Sequence, residues 1–369
     1  MTATLRIVLD RGTSGAHSDL AGAAVELARG LVATAPTDCV VEAIVPSGDA
    51  DPMQAVPGLA SVDRLALPRR ELLAAWQLGM PTGAGGGLIH APSLAAPLAR
   101  HDRVHDNDQT VVTLWDLDAW EHAGELPRSH VLAHKAFLKR AVKFADAVVV
   151  PTHAAAERLR SLARLGDRVR VIAGAPPENF RVPGDEIGRR RSLGLPEGFV
   201  LLAGGAASSW GLSEGLAAVV RAGIDLPVVV IDAPDGEEPA VAGLAAAAGL
   251  GEARLHVRPP LDPYDRAAVF GGAVAFVAPS VTSRFPWRLV EALRLGVPVV
   301  AADSPVHREV VAEGGLLVEQ AGEALGAALA SALGSTQAGE RLGVLAGDRG
   351  RAFSWAGAAE RVWLLHADL

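Results

Sequence analysis

Short apolar runs separated by longer amphipathic stretches repeat along the whole chain. In the first half the runs fall at residues 5–9, 40–45, 87–90, 111–114, 147–150 and 169–172. Between them, residues 20–32, 69–78, 128–144 and 153–162 carry apolar side chains at helical spacing. The second half keeps the rhythm, with strands predicted at 199–203, 227–231, 254–257, 274–277, 297–301 and 316–318, and helices at 212–221, 239–248, 263–270 and 287–295. Near-continuous apolar strands alternating with helices predict parallel sheets covered on both faces. Two such series predict two doubly wound α/β domains. Residues 173–184, with Pro176, Pro177 and Pro183, form no regular element, which places the boundary so that one domain spans 1–180 and the other 181–354. Beyond Ala321 the pattern is mostly helical and ends in a helix at 355–369.

Composition narrows the partners. The chain has 369 residues, half of them hydrophobic, and 34 basic against 42 acidic side chains give a net charge of −8. That balance disfavours broad nucleic-acid binding and leaves room only for a local basic patch. All three lysines, Lys135, Lys139 and Lys143, share one face of the 128–144 helix. The stripe is either a solvated face or a peripheral contact with anionic headgroups. Cys39, the single cysteine, excludes an internal disulfide framework and any multi-cysteine metal site, and reads as a buried, inert thiol at a strand start. The first residues lack the basic-then-apolar order of a signal peptide, and no apolar run approaches the ~20 residues that cross a bilayer. The chain is expected to be soluble and cytoplasmic, with the lysine stripe the route to the inner face of a membrane. His101, His105 and Asp106 sit in a polar run that reads as a solvated loop. No metal or cofactor is expected.

Residues 279–301 carry the densest chemical signal, reading strand, loop, helix, glycine stop and proline-led strand. Such a loop places backbone N–H groups where they cradle an anion, and Glu291 falls early in the helix, within reach of ligand hydroxyls. An ordinary βαβ crossover with a solvated glutamate is the alternative.

The same segment, with Pro279-Ser280, Phe285, Glu291-Ala292 and Gly296-x-Pro298-Val299-Val300-Ala301, followed by Glu309-Val310 and Gly314-Gly315-Leu316-Leu317-Val318, resembles the carboxy-terminal signature of the family-4 retaining glycosyltransferases. The likeness extends to His90-Ala91-Pro92-Ser93, Val111-Val112-Thr113-x-x-Asp116-Leu117, residues 144–152 and Phe353-Ser354-Trp355. It implies the GT-B fold: two Rossmann-like domains facing an inter-domain cleft, with the last helix, 355–369, packing back on the first. It also implies a nucleotide-sugar donor, GDP- or UDP-linked, held by the second domain, and transfer without metal.

Several positions where the family binds its donor carry other residues here. Of the family's two glutamates seven residues apart, the second is Glu291, which in relatives binds ribose hydroxyls. The first, which contacts the transferred sugar, is Ser283, and the glycines that follow it are Arg284 and Pro286. The family's diphosphate-binding arginine and lysine fall at Gly205 and Trp210, in the loop opened by Gly204. Charge-assisted hydrogen bonds to phosphate contribute about 1.5–3 kcal/mol each, so Arg288 becomes the candidate replacement cation. Trp210 and Trp287 either fill the donor pocket or stack on its base. On the acceptor side the candidates are Gly12, Ser14 and Gly15 in the loop after the first strand, His90 at a strand end, and Asp118. No catalytic residue is assigned beyond Asp116 as a candidate, and Asp116 and Asp118 serve equally as helix caps.

The resemblance implies transfer of a hexose, with mannose the expected sugar, to a glycan or lipid-linked acceptor with retention. The lost donor-site charges support a second reading, a non-catalytic GT-B paralogue that binds or regulates a partner glycosyltransferase. A GT-B epimerase acting on nucleotide sugars fits less well, because the matched segments are transferase-like.

Overall fold

A computed structural model of the chain describes residues 3–10, 18–103 and 105–369. It divides into two units, one of residues 1–174, 283–285 and 354–369, the other of 175–282 and 286–353.

In the first unit, β1 (Ala3–Val8), β2 (Cys39–Ser47), β3 (Ser61–Pro68), β4 (Leu88–Ala91), β5 (Gln109–Thr113), β6 (Ala147–Val150) and β7 (Val169–Val171) form one parallel sheet in the order β3-β2-β1-β4-β5-β6-β7. The helices are α1 (Ser18–Ala33), α2 (Arg69–Leu78), α3 (Asp118–Glu121), α4 (Arg128–Phe144) and α5 (His153–Leu162). β5 and β6 are buried at every position, as strands covered on both faces must be. Thr152 caps α5 through the Ala155 N–H at 3.0 Å.

The second unit contains α6 (Glu186–Ser192), β8 (Phe199–Ala203), α7 (Leu212–Arg221), β9 (Val228–Ile231), α8 (Glu238–Ala248), β10 (Leu255–Val257), α9 (Pro263–Gly272), β11 (Ala273–Ala278), α10 (Trp287–Arg294), β12 (Val299–Ala302), α11 (Pro305–Val311), β13 (Leu316–Val318), α12 (Gly322–Ala332) and α13 (Thr336–Gly350). Its strands are parallel in the order β10-β9-β8-β11-β12-β13. Both sheets reverse their strand order once, beside β1 in the first and beside β8 in the second. A ligand of a doubly wound sheet belongs at that reversal, outside the carboxyl ends of the strands.

The last helix, α14 (Trp355–Asp368), belongs to the first unit and packs on α1. Gly30 makes the approach possible, since a Cβ there would lie 2.7 Å from the Trp355 carbonyl oxygen. The Trp363 indole N–H donates to the Leu31 carbonyl at 3.1 Å.

The expected fold class is observed. The pattern did not predict β3, whose residues alternate imperfectly and of which only Leu65 is buried, nor the short helices α6 and α11. Cys39 begins β2 as expected but is half-buried, not fully buried, because it occupies the first position of the strand.

Candidate functional site

The strand-order reversal of the second unit lies between the loops that follow β8 and β11. The two loops are joined by Ser280 Oγ, which donates to the Ser209 carbonyl at 2.9 Å, and the Gln320 side-chain amide after β13 donates to the Pro279 carbonyl at 2.9 Å. Gly211, with φ +65°, approaches the same carbonyl so closely that a Cβ would lie 2.8 Å from its oxygen.

The β8 loop is stitched to its own unit. Gly204 turns the chain at φ +125°, and the Trp210 ring lies in the space a Cβ on Gly204 would need. Two residues on, the Ala206 amide donates to Glu237 Oε2 at 2.9 Å. A Cβ on Gly205 would lie 2.5 Å from that carboxylate oxygen. Where the resemblance places an arginine and a lysine, the structure therefore has a bare backbone against a carboxylate and a half-buried indole on a glycine.

Glu291 lies in α10 and is 2% exposed. Arg266 of α9 grips it through both carboxylate oxygens, with contacts at 2.7, 2.9 and 3.0 Å. Arg288, one turn earlier in α10, donates to it at 3.1 Å and to Asp232 at 2.5 Å. Asp232 closes β9 with φ +62°, and its Oδ1 has no protein partner. A left-handed backbone at a non-glycine residue costs about 1–3 kcal/mol, and the Arg288 contact helps to hold it. Arg288, expected as a replacement cation for phosphate, is thus buried at 9% exposure and shared between two carboxylates.

Residues 283–285 count with the first unit. There Ser283 Oγ donates to Glu121 at 3.0 Å, Arg284 pairs with Asp118 at 2.6 Å, and the Phe285 N–H donates to the Trp115 carbonyl at 3.1 Å. Phe285 is 1% exposed with its ring 6.0 Å from that of Trp115, which makes it a core residue. Burial raises the Asp118 pKa above the ordinary carboxylate value against the opposing pull of Arg284. Asp116 accepts the Asp118 N–H at 3.1 Å, a local turn contact.

Of the acceptor-side candidates, Gly12, Ser14 and Gly15 lie outside the described residues. His90, at the end of β4, is fully buried. Its ring meets that of His366 edge-on at 5.6 Å, and Thr113 Oγ1 is 3.5 Å from its Nε2. Burial, followed by the nearby His366, lowers its pKa well below the ordinary imidazole value. His101 is not part of a solvated run: it bonds Asp146 at 2.8 Å and the Ala99 carbonyl at 2.9 Å, whereas His105 is exposed. The Asp146 hydrogen bond raises the His101 pKa. Among the described residues no group of three or more His, Cys, Asp or Glu could hold a metal.

Two features escaped the sequence reading: the Glu237–Ala206 contact and the role of Arg266. Each joins elements with intervening chain and leaves no local pattern. The Arg288/Glu291 spacing of three, by contrast, was a legible helical pair.

Residues 212–335 match the family described as glycosyl transferases group 1. The chain is 33% identical over 246 residues to a D-inositol 3-phosphate glycosyltransferase of Nocardia farcinica, covering 60% of this chain and 52% of the relative. It spans about half the length of the curated relatives it matches. Among solved structures it is similar to sucrose-phosphate synthase from Thermosynechococcus elongatus, with a TM-score of 0.70, 21% identity and coverage of 99% and 98% of the two chains. It is equally similar in fold to Anabaena HepE in complex with UDP and glucose, with a TM-score of 0.70, 17% identity and full coverage of both chains. The chain has the two Rossmann-like domains of the GT-B fold, matches the group 1 glycosyl transferases over residues 212–335, and resembles the family-4 glycosyltransferases.

Proposed function

We propose that the chain transfers a hexose from a nucleotide-sugar donor to a hydroxyl acceptor, with the donor nucleotide held in the second unit. The observation that carries this reading is the joined pair of loops at the β8/β11 reversal, of which the β11 loop lies within the matched segment and is followed by Glu291 on α10. In this reading Glu291 accepts ribose hydroxyls once Arg266 or Arg288 releases one of its oxygens. Loop amides meet the diphosphate. The donor is UDP- or GDP-linked: the resemblance points to mannose, while HepE is seen with UDP and glucose. Retention of configuration follows from the same resemblance, and the acceptor is a glycan or lipid-linked hydroxyl. By analogy with the curated relatives, D-inositol 3-phosphate is the first acceptor to try.

One observation favours a second reading, a non-catalytic subunit beside an active glycosyltransferase. The groups that would meet donor charge are already satisfied by the chain itself, Ala206 by Glu237 and Arg288 by Asp232 and Glu291.

Calorimetry with UDP, GDP, UDP-glucose and GDP-mannose, paired with a release assay for the nucleoside diphosphate, tests both. Micromolar binding with acceptor-dependent release supports the enzyme and removes the second reading. Binding without release under any donor–acceptor pair supports the second. No binding of any nucleotide overturns the first.

A further inference from the structure

Glu237 stands where an anion would be expected. It lies just before α8, at the carboxyl side of β9, and its Oε2 accepts the Ala206 amide of the β8 loop at 2.9 Å. The fit is tight: Gly205 is held so close that any side chain would strike this oxygen, at 2.5 Å, or the Pro234 ring, at 2.8 Å. Loops after the first strand of a doubly wound unit present their amides to phosphate, and a carboxylate is the side chain that best imitates one. The charge nearby does not favour a further anion. Beside Glu237, the site holds Asp232 and Glu291, with Arg266 and Arg288 committed to those two carboxylates.

We infer that Glu237 is a specificity-determining residue that competes with the ligand's phosphate for the β8 loop, so that the loop accepts a nucleoside diphosphate only when this carboxylate yields the Ala206 amide. The inference rests on the nucleotide-binding reading above and deepens it. Glu237 sets the phosphate end of recognition, and the nucleoside end is independent of it. The consequence is an inverted mutational effect: removing an acidic, hydrogen-bonded side chain from the site strengthens binding instead of weakening it.

The test is calorimetric titration of UDP, GDP, uridine and guanosine into the full chain and into Glu237→Gln and Glu237→Ala. Gln keeps the size and a hydrogen-bond acceptor while removing the charge, and Ala removes both. The expected result is diphosphate affinity raised about tenfold in both variants, equivalent to about 1.4 kcal/mol, with nucleoside affinity unchanged. Diphosphate binding unchanged or weakened in both variants, with the wild type still binding, overturns the inference and makes Glu237 a structural tie between two loops. Equal strengthening of nucleoside and diphosphate also overturns it, since the effect would not belong to the phosphate. Failure of the wild type and both variants to bind any of the four compounds overturns the nucleotide reading itself. Circular dichroism of each variant confirms that the fold is retained.

Discussion

His366 offers the sharpest quantitative prediction. It lies on α14, is 4% exposed, and bonds Gln109 through Nδ1 at 3.0 Å, while its Nε2 has no protein partner. Burial lowers its pKa from 6.5 to about 4, with Asp146 opposing the shift. The folded state therefore refuses a proton that the unfolded chain accepts. Its contribution is complete above pH 6.5 and is lost as pH falls towards 4. Linkage over that interval gives a loss of about 2 kcal/mol between pH 6.5 and 4.5 from this imidazole alone. His90 beside it, and His307, also buried, add contributions of the same sign. His101 acts oppositely: its raised pKa stabilises the folded state below pH 6.5 and loses that effect as pH rises through the folded value. Asp146, with a lowered pKa, weakens the fold only in more acidic solution, below the carboxylate range. Urea unfolding of the wild type and His366→Gln at pH 7.5, 6.5, 5.5 and 4.5 reads the effect, to which relief of the His90 shift adds with the same sign. The wild type should lose about 2 kcal/mol more than the variant between pH 6.5 and 4.5. Parallel stability curves would refute the reasoning.

Two further outcomes follow from the geometry. Replacing Glu291 by Ala leaves the guanidinium of Arg266 buried without its counter-ion and deprives Arg288 of one of its two, at a cost of about 3–5 kcal/mol; differential scanning calorimetry showing an unchanged melting temperature would contradict that accounting. Helix α4 contains no acidic residue, Lys139 and Lys143 are exposed on it, and Leu132 beside them is 67% exposed. If this face meets a membrane, binding to vesicles rich in phosphatidylglycerol should fall at least tenfold in a Lys135→Glu, Lys139→Glu, Lys143→Glu triple variant and in high salt, and co-sedimentation insensitive to both would reject it.

The fold was largely legible because most of its strands are short, near-continuous apolar runs. The pattern predicted β8, α2, α4, α5 and α7 at their observed bounds. β3 was missed for a physical reason: an edge strand half-open to solvent needs no continuous apolar run. The site was less legible. Glu291 was recognisable from its place in a helix after a loop, yet its two arginine partners convert an anticipated open carboxylate into the centre of a buried ion network. Arg266 and Glu237 are joined to their partners only through the fold, and a polar residue near a helix start looks the same in sequence whether it faces water or a backbone amide. Phe285 is a further case: its place in the loop before α10 gives no sign that its ring is core.

The placement of α14 has a consequence for synthesis. The seven strands of the first unit are translated before residue 174, but the helix that covers α1 begins at Trp355. At about 5–20 residues per second on the ribosome, roughly 10–35 s pass between the two. During that interval the side of α1 that carries Gly30 waits for its cover while the whole second unit is made. The nascent chain thus has a built-in period of exposure, which lasts until α14 has been made.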